Sequence, residues 1–213
     1  MEILQTYHTC SAVRLLFSEN ELVPIWNEVN EMIDSDFKNA KSYNNILAGN
    51  IEKEFKLLKS HEHIENLFNP ILRYHIKSFG YVSNELNVLS RNAPFYLDSC
   101  WVNFQKKHEF NPFHWHLGVF SFVIWLKVPF FIEKELEMPF CKNSRNPLPG
   151  HFEFLYVNQE SGMLRIKPEN IGVDKRFENQ GIFFPSHLMH GVYPFSSSDD
   201  YRISVSGNFK IKI

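Results

Sequence analysis

The stretch NPFHWHLGVFSFVIWLKVP, residues 111–129, decides how the chain is read, because it sets two histidines one residue apart at the mouth of a long apolar run. On an extended strand, side chains two residues apart point to the same face, so His114 and His116 would converge on one point. On a helix the same spacing splits them by about 200°. The run that follows is rich in aromatic and β-branched residues, which argues for a strand. Frequency alone says little, since ten histidines in 213 residues give about half of one His-x-His pair by chance. A second pair, His61 and His63, opens a predicted helix and reads as exposed first-turn residues. The plain alternative for His114 and His116 is a loop-edge pair beside aromatics.

Bulk properties narrow the classes. A chain that is 44% hydrophobic, with 21 phenylalanines, can bury a sizeable core as one domain spanning residues 1–213. The net charge of −2, with signs mixed throughout, gives no basic footprint of a nucleic-acid binder. Three widely spaced cysteines, Cys10, Cys100 and Cys141, suggest free thiols in a reducing compartment rather than a disulfide frame. The longest apolar run, residues 119–132, is broken by Ser121, Lys127 and Pro129 and is too short to span a bilayer. With no basic start leading into an apolar stretch, the expectation is a cytoplasmic protein with no membrane partner.

Residues 1–95 read as mainly helical. Ser18 and Glu21 form a capping-box pattern before Leu22, Ile25, Val29 and Ile33, and Pro24 predicts that the helix proper starts there or bends. A second helix carries Ile64, Leu67, Phe68, Ile71, Leu72, Ile76 and Phe79 on one stripe, with Ser60 as its cap and Pro70 as an obstacle. From about residue 96 the pattern changes to short strands at 101–105, 119–128, 152–157, 163–167, 182–184 and 201–213, separated by turn signals. Strands after a helical block give an α+β fold, an antiparallel sandwich or barrel with helices on one face. Residues 129–150, with Pro139, Pro147 and Pro149, read as a long insertion that is either a lid or a variable loop.

A metal site needs a third ligand. The segment GIFFPSHLMHGVYPF, residues 181–195, runs from a strand into a turn and offers His187 and His190. In YRISVSGN, residues 201–208, Arg202, Ser204, Ser206 and Asn208 share one strand face, opposite Ile203 and Val205. That face either meets water or clamps a carboxylate: a guanidinium forks onto two oxygens, and a hydroxyl two residues on reaches the same group.

Together these three segments resemble, in order, the 2-oxoglutarate- and Fe(II)-dependent oxygenase superfamily. The likeness is greatest to small prolyl-hydroxylase-like members often carried by phages, covers residues 101–209, and extends loosely to LAGNIEKEF at residues 47–55. The resemblance implies a double-stranded β-helix (a jelly-roll, cupin-like core over residues 96–213) with the N-terminal helices packed on one face. It implies Fe(II) held by His114, His116 and His190, with His187 outside the ligand set. Arg202 and Ser204 would hold the distal carboxylate of the co-substrate 2-oxoglutarate, Asn103 would add a polar contact, and Trp125 would stand where many relatives have tyrosine. His116 departs from the family, which mostly has a carboxylate there; three neutral imidazoles also suit zinc. The activity implied is O2-dependent hydroxylation of an unidentified substrate, a peptidyl residue by analogy, with succinate and CO2 as co-products. Competing readings are a three-histidine cupin-like metalloprotein without 2-oxoglutarate and a non-enzymatic β-sandwich binding module. His108 and His151, at expected loop ends, are either substrate contacts or solvated residues.

Overall fold

Two central strands, buried throughout, send alternate side chains into two separate cores and so organise the molecule, which a computed structural model describes over residues 1–86, 94–160 and 162–212. Residues 87–93 of the expected helical part, Ser161 in a turn signal and Ile213 at the end of the last expected strand lie outside the described residues. In chain order the elements are β1 (Glu2–Tyr7), β2 (Ala12–Leu16), α1 (Glu19–Asp34), β3 (Lys53–Lys56), α2 (His61–Ser78), β4 (Phe95–Gln105), β5 (Asn111–His114) and β6 (Phe120–Lys127). Then come α3 (Ile132–Leu136), α4 (Pro139–Lys142), β7 (Phe152–Glu160), β8 (Met163–Ile171), β9 (Gln180–Pro185), β10 (Met189–Val192) and β11 (Arg202–Ile211). Seven strands form one sheet in the order β1-β2-β9-β6-β11-β4-β3, and four form a second in the order β5-β10-β7-β8.

Strand β6 lies at the middle of the larger sheet and is covered on both sides, which explains why all of it but Lys127 is buried and why Ser121 is its one polar interior residue. Phe120, Phe122 and Ile124 join one core cluster with Leu22, Ile25, Phe68 and Ile71 of the two long helices. Val123 and Trp125 point the other way, into a second cluster with Phe152 and Phe154 of the smaller sheet. Strand β9 splits its side chains in the same manner, Phe183 toward the helices and Ile182 and Phe184 between the sheets. The result is two antiparallel sheets face to face, with α1 and α2 against the outer side of one: a double-stranded β-helix core in an α+β chain. Gly207 of β11 is required by this packing, because a Cβ there would sit 2.7 Å from the Phe122 ring and from the Ser99 carbonyl oxygen.

The N-terminal part departs from the helical reading in three places. β1 and β2 form a hairpin that pairs through β2 with β9, and β3 pairs with β4; these strands have four to six residues, too short for a clear period. Helix α1 begins at Glu19 and carries Pro24 inside it. Its buried stripe takes in Met32 and leaves Ile33 exposed. Helix α2 passes over Pro70 without a break. The insertion at 129–150 holds α3 and α4, and the three cysteines are buried and unpaired. Among the described residues, no helix is long and apolar enough to cross a membrane.

The turn that leads into α2 is anchored by a residue from another element. Ser60, the expected cap, makes no capping bond with its own side chain. Instead the carboxylate of Glu28 on α1 accepts the N–H groups of Leu58, Lys59 and Ser60 at 2.7, 3.0 and 2.8 Å, and the Ser60 hydroxyl at 2.7 Å. Burial pushes this carboxyl upward, but the four hydrogen bonds outweigh it and leave the group below the ordinary value of 4.5. A depressed carboxyl stabilises the fold above its unfolded value and loses that contribution as pH falls through its folded one. Glu28→Ala is therefore expected to cost about 3 kcal/mol in urea unfolding at pH 7, and the gap from wild type should narrow as pH drops below 4.5.

Candidate metal centre

Two strand pairings bring the histidines together. In the β5–β10 pair, His114 lies directly opposite His190, and their ring centroids are 4.4 Å apart. His116 falls just beyond the end of β5, in a turn rather than on the strand as the sequence suggested. Its backbone N–H donates to the Ser186 carbonyl at 2.9 Å, and the Ser186 N–H donates to the Val119 carbonyl at 3.0 Å. Beneath this turn, Ser121, Ser186 and Asn208 form a buried hydrogen-bonded group. So seated, the His116 ring lies 4.8 Å from His114 and 5.0 Å from His190. One ring nitrogen from each of the three lies within 4.8 Å of the others.

Backbone carbonyls orient two of these rings. Nδ1 of His114 bonds the Pro112 oxygen at 2.7 Å, and Nδ1 of His190 bonds the Leu188 oxygen at 2.8 Å. A carbonyl accepts only, so each Nδ1 carries the proton and each Nε2 keeps its lone pair for an ion. Burial lowers the affinity of all three rings for protons. His116 is pulled down to about 3, with the neighbouring His114 adding to the effect, and His190, 4% exposed, is pulled well below the usual range. Neutral imidazole is the ligating form, so this donor set suits a divalent metal such as Fe(II).

The other expected site residues face the same cavity, whose free volume is about 40 Å³. Arg202 lies opposite Gln105 on β4, and Ser204 lies between Asn103 on β4 and Trp125 on β6. Arg202 is 1% exposed. Its Nε and Nη2 donate to Gln105 Oε1 at 3.1 and 2.7 Å, Nη1 to the Gly150 carbonyl at 2.9 Å, and Nη2 to the Tyr193 carbonyl at 3.1 Å. Phe130 and Phe195 flank the guanidinium. Among the described residues no carboxylate forms an ion pair with it; Glu135, close enough to be felt, accepts bonds from Ser196 and Ser197. Burial pulls the Arg202 pKa down to about 9, against the attraction of Glu135, so at neutral pH it is a buried cation held by neutral acceptors. Such a charge is favoured by an anion in the cavity. Asn103 donates from Nδ2 to Ser204 Oγ at 3.4 Å, and its Oδ1 has no partner.

His187 is exposed and meets Trp115 at 5.4 Å on the outside, away from the cluster. His151 bonds the Pro149 carbonyl through Nδ1, and His108 is exposed. His63, expected to be exposed, is half-buried and bonds the Glu21 carbonyl at 2.7 Å. Gln105 was missed in the sequence, although its two-residue spacing from Asn103 put it on the same face. The carbonyls of Gly150 and Tyr193 left no signal, since any residue supplies one.

No model of a known protein family matches the chain, and no curated protein matches it in sequence. Solved structures do match. A Pseudomonas putida prolyl-4-hydroxylase aligns with a TM-score of 0.52 at 13% identity, over 96% of this chain and 95% of that one. A prolyl hydroxylase from Trichoplax adhaerens, in complex with a hypoxia-inducible-factor peptide fragment, aligns with a TM-score of 0.51 at 13% identity, over 95% and 84%. A non-haem α-ketoglutarate-dependent carbocyclase of nogalamycin biosynthesis gives 0.51 at 13%, over 95% and 80%. The fold is that of the 2-oxoglutarate/Fe(II) oxygenases, and the group of His114, His116 and His190 fits the Fe(II) and 2-oxoglutarate of that fold.

Rings that stay neutral below the ordinary histidine range lose metal to protons late. Co(II) affinity, followed by isothermal titration, is expected to stay within about twofold between pH 7.5 and 6.0. Three histidines at the ordinary value of 6.5 would lose roughly 50-fold over that interval.

Proposed function

We propose that the protein is a 2-oxoglutarate- and Fe(II)-dependent dioxygenase that hydroxylates its substrate, with His114, His116 and His190 as metal ligands and Arg202 as the anchor for the distal carboxylate. The observation that carries this reading is the pairing, in one cavity, of three converging neutral imidazoles with a buried guanidinium that has no counter-anion among the described residues. When bound, Fe(II) supplies activation of dioxygen coupled to oxidative decarboxylation of 2-oxoglutarate, giving succinate, CO2 and a hydroxylated C–H position.

The chain's own residues bind, orient and keep the site dry. The Pro112 and Leu188 carbonyls hold His114 and His190 with Nε2 free. Gln105 holds the guanidinium plane through two bonds to one oxygen, leaving Nη1 with a spare N–H for a carboxylate. Ser204, on the same strand face, adds a hydroxyl. Phe152, Phe154 and Phe184 pack around His190, excluding water from that side of the ion. His116 in place of a carboxylate leaves the ion its full +2 charge, which a dianionic co-substrate then neutralises. For the substrate we take a peptidyl residue, the class to which the peptide in the Trichoplax complex belongs. The exposed rim beside the ligands supports it: Phe113, Trp115 (51% exposed) and Leu117 (73% exposed) alternate with the histidines and offer apolar contact to an extended chain.

Anaerobic addition of Fe(II) and 2-oxoglutarate should produce a visible charge-transfer band in the wild type and none in His190→Ala. Arg202→Ala should weaken 2-oxoglutarate binding about 100-fold, the scale expected for losing a buried charge pair. Unchanged 2-oxoglutarate affinity in Arg202→Ala would instead favour a three-histidine metalloprotein that does not use this co-substrate.

A further inference from the structure

The row of side chains that crosses the large sheet at Ser204 does not stop at Asn103. Register places Glu54 of β3 directly opposite Asn103, on the same sheet face. Glu54 is 1% exposed, and among the described residues it has no ion-pair partner and its Oε2 has no hydrogen bond. Two more buried oxygens nearby are also without partners, Oδ1 of Asn103 and Oδ1 of Asn111. Asn103 and Asn111 both line the metal cavity. Gly49 closes the group from behind: a Cβ there would lie 2.3 Å from Asn111 Oδ1 and 2.6 Å from Glu54 Oε1, so the absence of a side chain at Gly49 leaves the space that these oxygens face.

Three orphaned acceptors in one buried place are costly unless donors arrive from outside the chain. Burial pushes the Glu54 carboxyl up to about 7, and the charge of Glu109 adds to the shift. The lysines on either side are turned elsewhere, Lys53 to the Tyr201 hydroxyl and Lys56 onto the Tyr43 ring. Beside a neutral donor Glu54 stays about half protonated near pH 7; a nitrogen cation with several N–H bonds satisfies the amide oxygens and supplies the counter-charge that holds the carboxyl ionised.

We infer that Glu54, Asn103 and Asn111 form a cradle beside the metal centre that receives a primary ammonium group of the substrate. Its part in turnover rests on the oxygenase reading above, whereas the binding itself does not. The cradle orients a cationic substrate so that a carbon a few bonds from the nitrogen faces the three histidines.

The test uses the full chain without iron or 2-oxoglutarate and n-propylammonium chloride as probe. Carboxyl resonances of 13C-glutamate-labelled protein are followed, with Glu54 assigned by its loss in Glu54→Gln. Propylammonium is expected to shift the Glu54 signal saturably, while n-propanol, which lacks the charge, and tetramethylammonium, which lacks N–H groups, do not. Glu54→Gln, which lacks the reporting resonance and is compared with wild type by isothermal titration, should weaken propylammonium binding at least tenfold. Gly49→Ala, which keeps the Glu54 carboxyl group but drives a Cβ into the cradle against Asn111 and Glu54, should do the same and serves if Glu54→Gln does not fold. No saturable shift in the wild type, or equal binding by Gly49→Ala and wild type, overturns the inference. In that case the two asparagine amides face Glu54 with their NH2 groups and satisfy it internally. A cradle that binds propylammonium in a protein showing no Fe(II)–2-oxoglutarate band would stand while the oxygenase reading fails, and the reverse result would separate them the other way.

Discussion

A guanidinium sealed between two β-sheets with only neutral oxygens around it is the constraint to which the rest of the structure answers. Arg202 is held by Gln105 and two backbone carbonyls, so its geometry is set before any ligand comes, yet among the described residues no carboxylate forms an ion pair with it and only the more distant Glu135 offsets its charge. Desolvating a cation costs several kcal/mol unless it is well bonded and paired. The hydrogen bonds offset part of that cost, and an anion in the cavity would supply the rest. Glu135 could have paired with it directly, but it instead ties α3 to the segment around Ser196 and Ser197, which helps fix the wall formed by Tyr193 and Phe195.

Antiparallel register does the remaining assembly. The row Glu54–Asn103–Ser204–Trp125 runs across four strands of the large sheet, and the row below it contains Arg202 and Gln105. Across the gap, His114 and His190 face each other on two strands of the small sheet, with Phe152 and Phe154 of β7 packed against His190. Polar and ligating groups thus lie on inner faces, while Ile203 and Val205 turn outward to meet α1 and α2. Among the described residues the helices contribute no group to the metal cavity; they cover the outer face of the sheet, so that its inner face can carry polar residues without unfolding the core.

Much of this was legible in the sequence where period and chemistry coincide. The alternation of Arg202, Ser204 and Ser206 with Ile203 and Val205 marked a two-faced strand, and the aromatic and β-branched run at 119–128 marked the strand that became β6. The strand argument put His114 and His116 together for a partly wrong reason: His116 lies in the turn after β5, and it is the seat on Ser186 that returns its ring to His114. The hairpin of β1 and β2 was missed because six- and five-residue strands carry little periodicity. Glu54 was missed because its meaning depends on β3 lying beside β4, a pairing between residues about 50 positions apart that no local pattern encodes. Ser60 does stand at the N-cap of α2 as its sequence suggested, but its hydroxyl bonds Glu28 of another helix instead of the α2 backbone, a contact that no local pattern encodes.

The central claim is that three imidazoles from two separate segments bind one ion in reach of the Arg202 charge. X-ray absorption spectroscopy of the Fe(II)-loaded protein, before and after anaerobic addition of 2-oxoglutarate, tests it most directly. Multiple scattering from three imidazole rings is expected in the first spectrum. In the second, all three rings should remain while two oxygens of the co-substrate displace solvent from the iron. Two rings or fewer, or a first shell that 2-oxoglutarate leaves unchanged, would contradict the account.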